Sequence, residues 1–591
     1  MAETPQGRQV ALIWLCALGF AVGCVAGLGA IFFRTLIAFV HNLFFNGTVS
    51  LNYDANILVA PSPFGPLIIL APVIGGMGVI FLIRHFGAEA RGSGVPEIMD
   101  AIYYREGHIR PPVAITKSLA SALAIGSGAS VGREGPIAQI GASFGSTIGL
   151  FTNLIAWQRI TLVAAGAGAG IAAAFNTPLG GVLFAIEVLM PEVSPRTFLP
   201  VVIATGIATY LGRFAFGLDP AFAVALSVDV EVGRATIVSA AAMVMLGIAC
   251  GLASWAFIRT LALMQDIFAR LPGNDYSRHA IAMLLLGTIM YVLMLKTGHY
   301  HVSGVGYGTI QTVLDGHIAS IGLLMVLFVA KLLATTLTLG SGSSGGIFSP
   351  SLFMGATLGG AFGSLMMLVW PEAQYGPAEM AIVGMGGVVA GVTGATMTAI
   401  IMMFEMTRDY HIVLPLIIVA GVSVGIRRML LDDNVYTYGL ARRGRHVPKE
   451  RHSAMYLVRH AGDVMDTHIV TVDAELPLPA AKSLLSGDCR ALVVEQGGRI
   501  LGVVRAAMLT AATRLPDNAQ TVEDIADERY LVVRENEILH DVLKQMAKRE
   551  IGDLVLVVDS ETEIPRPVDV RGILGREQIG ACILQHYVRG S

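Results

Sequence analysis

"KSLASALAIGSGASVGREGP", residues 117–136, aligns without a gap on "KLLATTLTLGSGSSGGIFSP", residues 331–350, at a shift of 214 positions. Over residues 117–149 the two stretches share 14 identities in 33, against roughly two to four expected by chance for so glycine-rich a composition. The same shift carries Gly92 and Gly94 of "GSGVPE" onto Gly306 and Gly308 of "GVGYGT". A nearby shift of 218 carries "GAGAGIAAAFNTPLGGVLFAIE" onto "GMGGVVAGVTGATMTAIIMMFE", ending at Glu187 and Glu405. A period above 200 residues is too long for a solenoid. Two halves with glycine-interrupted segments at matching places point instead to a transport site at the interface of two inverted repeats.

Composition puts this repeat in a bilayer. Of 591 residues, 54% are hydrophobic and 14% charged, where a soluble domain carries about 25% charged. Apolar runs at Val10 to Phe33, Pro66 to Phe86, Leu162 to Met190, Ala235 to Ile258 and Met380 to Phe404 reach or approach the roughly 20 residues that cross a hydrocarbon core. The first run is too long for a secretory signal and reads as a retained helix. Hydropathy excludes a soluble enzyme. A net charge of −3 gives no reason to expect nucleic acid, and Cys16, Cys24, Cys250, Cys489 and Cys582 have neither metal spacing nor a paired framework.

The texture changes near residue 445. "LARRGRHVPKERH" places Arg442, Arg443, Arg445, Lys449 and Arg451 after the last apolar segment, which by the positive-inside rule makes that end cytoplasmic. The expected fold is an all-α polytopic membrane domain of two inverted repeats, residues 1–445, with short, tilted or re-entrant helices. A small α/β tail, residues 446–591, follows. Its segments at 463–508 and 522–580 each read short strand, helix, strand, strand, helix, with "ALVVE", "LGVV", "LVLVV" and "RGIL" as strands. They resemble a tandem pair of CBS domains, at about 460–512 and 520–585.

Irregular backbone in lipid survives only inside protein or along a wet cavity, so the glycine-rich breaks line something. Each break starts a helix whose first N–H groups lack intrahelical partners and carry the positive end of the macrodipole. Such termini hold anions without a full cation. Glycines at 92, 94, 132, 135, 345 and 346 let those amides approach an ion closely. A cation path would want rings of acids or carbonyls, and a CBS-bearing magnesium channel, the alternative of another class, would find these segments useless. A phosphate loop fails too, because Arg133 and Glu134 stand where its lysine and hydroxyl belong.

"GSGVPE" (92–97), "GREGP" (132–136), "GGIFSP" (345–350) and the tyrosine of "DDNVYTYG" at 436 resemble the four signature elements of the CLC family of chloride channels and proton/chloride antiporters. They follow that family's order and rough spacing. The resemblance covers residues 10–445 and, through the CBS pair, the tail of many members. It implies that the Ser93 and Tyr436 hydroxyls and the Ile347 and Phe348 amides bind a central chloride. It implies an outer site at the Arg133, Glu134 and Gly135 amides, with Glu134 as a gate that protonation releases. Tyr438 is the rival to Tyr436. The family's nitrate-selective members have proline at the Ser93 place. A homodimer with one anion path per subunit is implied, in a bacterial-type inner (plasma) membrane, with both termini cytoplasmic and no cofactor.

Two departures matter. Coupled antiporters of the family commonly carry a second, inward glutamate just after the acid aligned with Glu187, and here that position is Val188. Valine cannot carry a proton, so channel-like conduction is expected, with antiport through another internal route as the alternative. Glu187 could substitute as relay or, like Glu405, be a structural acid on helix-end amides. In the tail, nucleotide-binding CBS copies usually offer a ribose-binding aspartate. "GVVRAAM" has Met508 and "GILGREQ" has Gln578 there, leaving a dimerisation and gating module without nucleotide as one open reading.

Overall fold

The computed structural model describes residues 7–589 apart from 192, 223–233, 371–374, 448–454, 486–488, 506–507, 509–519, 550–553 and 560–564. The chain divides into two units, Met1–Val447 and Pro448–Ser591.

The first unit is helical. Its helices are α1 (Leu12–His41), α2 (Ala71–Phe86), α3 (Val95–Tyr104), α4 (Pro112–Gly126), α5 (Glu134–Phe151), α6 (Ala156–Phe175), α7 (Pro178–Phe184) and α8 (Pro195–Phe216). Then follow α9 (Arg234–Arg270), α10 (Asp275–Thr297), α11 (Tyr307–Leu314), α12 (Ile321–Gly340), α13 (Phe348–Val369), α14 (Pro377–Thr393), α15 (Thr396–Thr407), α16 (Val413–Leu430) and α17 (Val435–Ala441). The repeat is visible element by element, α3 through α7 being matched in order by α11 through α15. Among the described residues nine helices are long and apolar enough to cross a membrane. The apolar window of α6 is 94% buried and that of α10 only 33%, so α6 is the centre of the unit and α10 turns one side to lipid. Ile281, Leu284, Leu285, Val292 and Leu295 are among the exposed residues of that side.

Two of the long apolar runs are not single helices. Leu162 to Met190 breaks where Asn176 takes the left-handed conformation (φ 61°) and Pro178 restarts α7. Met380 to Phe404 breaks likewise at Gly394 (φ 73°), between α14 and α15. Hydropathy sees through such a break because neither side of it is charged. Ala185–Leu189 continues α7 as a π-helical turn, so the regular spacing of about 100 degrees between neighbouring residues does not hold for Glu187 and Val188.

Without a hydrophobic drive between helices in lipid, small residues set how closely they pack. A Cβ on Gly141 of α5 would stand 2.0 Å from the Gly166 carbonyl oxygen of α6, and one on Gly355 of α13 would stand 2.4 Å from that of Gly384 on α14. The closest helix crossing of the first repeat therefore recurs in the second.

The second unit holds two three-stranded sheets, β1 (Ile469–Asp473), β2 (Ala491–Gln496), β3 (Arg499–Arg505) and β4 (Leu531–Arg534), β5 (Val555–Val558), β6 (Val570–Leu574). In each, the first pair is parallel and the second antiparallel. The two copies clasp each other: Asp466 before β1 bridges Ile573 in β6, and Asp527 before β4 bridges Val503 in β3. Ala491, Val493, Val503, Leu554, Leu556 and Ile573 form a shared core. The helix expected to close the first copy lies almost wholly outside the described residues.

Candidate functional site

Three glycine-rich loops meet at the centre of the first unit. Gly132 and Gly346 exchange both backbone hydrogen bonds at 2.7 Å, joining the repeat-related loops before α5 and α13 head to tail. Gly92 N–H donates to Ser343 O at 2.9 Å, and Gly345 N–H donates to Gly92 O at 3.2 Å. The approach tolerates no side chain at Gly135, where a Cβ would lie 2.0 Å from the Ser93 carbonyl oxygen. Gly92 and Gly94 sit at φ 76° and 90°, a region that L side chains rarely adopt.

The loops deliver three helix starts to one place. Gly94, Arg133 and Ile347 are the N-cap residues of α3, α5 and α13, and none of the three makes a side-chain cap hydrogen bond. Their first-turn amides are thus left for another acceptor. One cavity there is lined by Ser93, Glu134, Gly135, Ile347, Phe348 and Tyr436, closed by the apolar Val95, Ile171 and Phe184. Donors converging on a small, otherwise apolar space suit an anion. Tyr436 is buried, on a short helix started by Asn434, whose Oδ1 accepts from the Tyr436 and Thr437 amides at 2.9 Å each. Tyr438 points elsewhere, its hydroxyl 3.4 Å from the Arg259 guanidinium.

Glu134 is 2% exposed. The Tyr307 hydroxyl donates to its Oε1 at 2.5 Å, the Ser349 hydroxyl donates to the same oxygen, and the Ser349 amide donates to Oε2 at 3.3 Å. The Arg133 guanidinium does not line the cavity; it lies 5.1 Å over the Tyr307 ring. Val188 is buried in the π-helical turn. Glu187 beside it accepts from the Met397 and Thr398 amides at 3.1 and 2.7 Å and from the Thr398 hydroxyl at 2.7 Å, which holds the start of α15. Glu405 reciprocates, accepting from the Leu179 and Gly180 amides at 3.1 and 2.7 Å at the start of α7. Both carboxylates are engaged as caps across the two halves.

Four residues of this site were not singled out by the sequence. Lys117 and Lys331 have no exposed surface. Lys117 Nζ donates to the Ala90 and Gly92 carbonyls at 3.0 and 2.8 Å, and Lys331 Nζ to those of Val302 and Gly304 at 3.1 and 2.9 Å. Each lysine ties down the glycine-rich loop of its own half, and both head the aligned blocks, which was the available signal. Tyr307 occupies, between Gly306 and Gly308, the place Ser93 holds between Gly92 and Gly94. Ser349 lies inside "GGIFSP", where only the Ile347 and Phe348 amides carried an expected role.

The family model described as voltage gated chloride channel matches residues 75–428, more than half of the chain. The chain belongs to the CLC family. A CBS domain model matches residues 461–512 of this CLC protein. Among its relatives is the H(+)/Cl(-) exchange transporter ClcA of Vibrio cholerae serotype O1 (strain M66-2), 34% identical over 372 residues, 61% of this chain and 76% of the relative. The transporter of the same name from Citrobacter koseri is 32% identical over 431 residues, 71% and 87% of the two chains. Of solved structures, a slow cyanobacterial Cl-/H+ antiporter superposes with a TM-score of 0.63 at 25% identity, covering 74% of this CLC chain and 99% of its own. A eukaryotic CLC transporter superposes with a TM-score of 0.58 at 20% identity, covering 96% and 97%, a likeness of fold alone. The chain is an integral, multi-pass membrane protein.

Proposed function

We propose that this protein moves chloride across the membrane through the cavity at the three helix starts, with Glu134 as the gate, and that it exchanges chloride for protons. The observation that carries the reading is the position of the Glu134 carboxylate. It rests on the Ser349 amide at a helix start, beside a cavity whose other polar groups are hydroxyls and amides. A carboxylate held there occupies the place of an anion. Protonation removes its charge and frees those donors, so one side chain links protons to anion passage. Exchange is favoured over simple conduction by the relatives, which are named exchangers.

Val188 supports the second reading, an uncoupled chloride channel. The protein acts as a homodimer with one path in each subunit, and no cofactor enters the transport step. The test is chloride flux from liposomes against external pH. Wild-type flux rises on acidification, and Glu134→Gln gives high flux with little pH dependence. A Glu134→Gln protein with the wild-type pH profile would place the gate elsewhere.

A further inference from the structure

We propose that Tyr307 and Ser349 form a hydroxyl latch that holds the gate shut, and that this latch sets the pH range over which the protein conducts. The inference rests on Glu134 being the gate. Tyr307 comes from α11 in the second repeat and Ser349 from the first turn of α13, and both hydroxyls donate to the same carboxylate oxygen, Oε1. The two hydroxyl oxygens are themselves 3.0 Å apart, so carboxylate and hydroxyls form a closed, buried triangle. Oε2 rests on the Ser349 amide.

The repeat gives the latch its logic. Ser93 and Tyr307 occupy matching places, each between two glycines. In the first half the residue with the short hydroxyl side chain, Ser93, lines the cavity. In the second the long one reaches the gate. One loop thus presents a hydroxyl toward the permeating ion and its counterpart presents one to the side chain that competes with it. Tyr307 is pinned by neighbours that leave its ring little freedom: Phe222 at 5.4 Å, Phe175 at 6.4 Å and the Arg133 guanidinium at 5.1 Å over its face. Gly306 supplies the left-handed turn (φ 82°) that starts α11 with the tyrosine facing inward.

Hydrogen bonds donated to a carboxylate favour its charged form, and a hydrogen bond to a charged group in a dry interior is stronger than one between neutral groups. The latch therefore grips the ionised carboxylate and loosens on protonation. Other groups around Glu134 set a background that the latch does not change. Arg133 adjoins it on α5, while Lys331 of α12 and Tyr436 of α17 interact with it electrostatically. Arg34 of α1 interacts with Arg133 and Tyr307. Tyr307 and Ser349 are positioning residues, acting on the ion only through Glu134.

The test is chloride efflux from liposomes holding the full-length protein, measured across external pH for Tyr307→Phe and Ser349→Ala, each alone and combined with Glu134→Gln. With Glu134 present, loss of either hydroxyl raises flux near neutral pH by about tenfold and moves half-maximal flux about one pH unit toward alkaline. With Glu134→Gln, neither change alters flux. An unmoved pH profile in both single variants, beside a Glu134→Gln protein that has lost its pH dependence, overturns the latch and leaves the gate standing. A wild-type pH profile in Glu134→Gln removes the gate and the latch with it. Equal losses of flux in both backgrounds make Tyr307 a scaffold residue and overturn the proposal. Ser349→Ala, the smaller change, carries the test if Tyr307→Phe is not recovered folded.

Discussion

Single side chains at the helix starts carry most of the proposed chemistry, and Ser93 is the one whose replacement is most specific. Ser93, a hydroxyl residue, lines the cavity together with Tyr436. Proline there removes both that hydroxyl and the Ser93 N–H, and the family resemblance associates it with nitrate. Ser93→Pro is therefore expected to raise the nitrate-to-chloride permeability ratio, read from bi-ionic reversal potentials, and an unchanged ratio would take Ser93 out of the filter. The buried lysines make a different demand. Truncating Lys117 to methionine keeps the volume of the stem but leaves the Ala90 and Gly92 carbonyls without that donor. Each carbonyl keeps one other donor, the Ser344 hydroxyl on Ala90 and the Gly345 amide on Gly92, so the loss is that of the hydrogen bonds themselves, about 0.5–1.5 kcal/mol each. Lys117→Met should accordingly lower the thermal unfolding midpoint in detergent and slow flux through a misplaced Ser93. Lys331→Met should do the same through the 302–304 loop. A midpoint and flux equal to wild type in both would show that the loops hold without them.

Between elements, the two halves are clasped by the paired caps, Glu187 on α15 and Glu405 on α7. A capping acid is worth about 0.5–2 kcal/mol, so Glu187→Gln should cost stability on that scale. It should leave chloride flux, and any proton movement that accompanies it, in place. Loss of proton movement with chloride flux retained would instead make Glu187 the internal relay. This pairing explains what could be read in advance. The matching of Glu187 and Glu405 was legible because a repeat preserves spacing. Their partners were not, because each cap is completed by backbone amides of the other half, which leave no trace in sequence. The loops were legible because glycine at 94, 132 and 346 is demanded by close approach of neighbouring atoms and at 92 by its left-handed turn (φ 76°), constraints written in residue type. Tyr307 was missed because nothing in "GVGYGT" says that its ring spans from α11 to Glu134. The breaks at Asn176 and Gly394 were hidden inside runs of uniform hydropathy.

For the whole molecule the open quantity is coupling, and it follows from what lies along the proton's path. A proton crossing a low-dielectric interior needs titratable groups or water at each stage. In the proposed mechanism Glu134 supplies one stage. Val188 is buried and cannot titrate, and Glu187 is committed to the amides of α15. If protons are nonetheless exchanged, as in the relatives' names, they reach Glu134 without a carboxylate at either position, along water that enters the chloride path itself. The expected result in sealed liposomes is that a chloride gradient drives protons uphill and that the reversal potential is displaced from the chloride equilibrium potential when a pH gradient is imposed. Glu134→Gln should abolish both effects while chloride flux continues, and Glu187→Gln should abolish neither. A reversal potential that follows chloride alone at every pH gradient would establish the channel reading that Val188 favours. In that case Glu134 would still control when the path opens, but its proton would come and go from one side only.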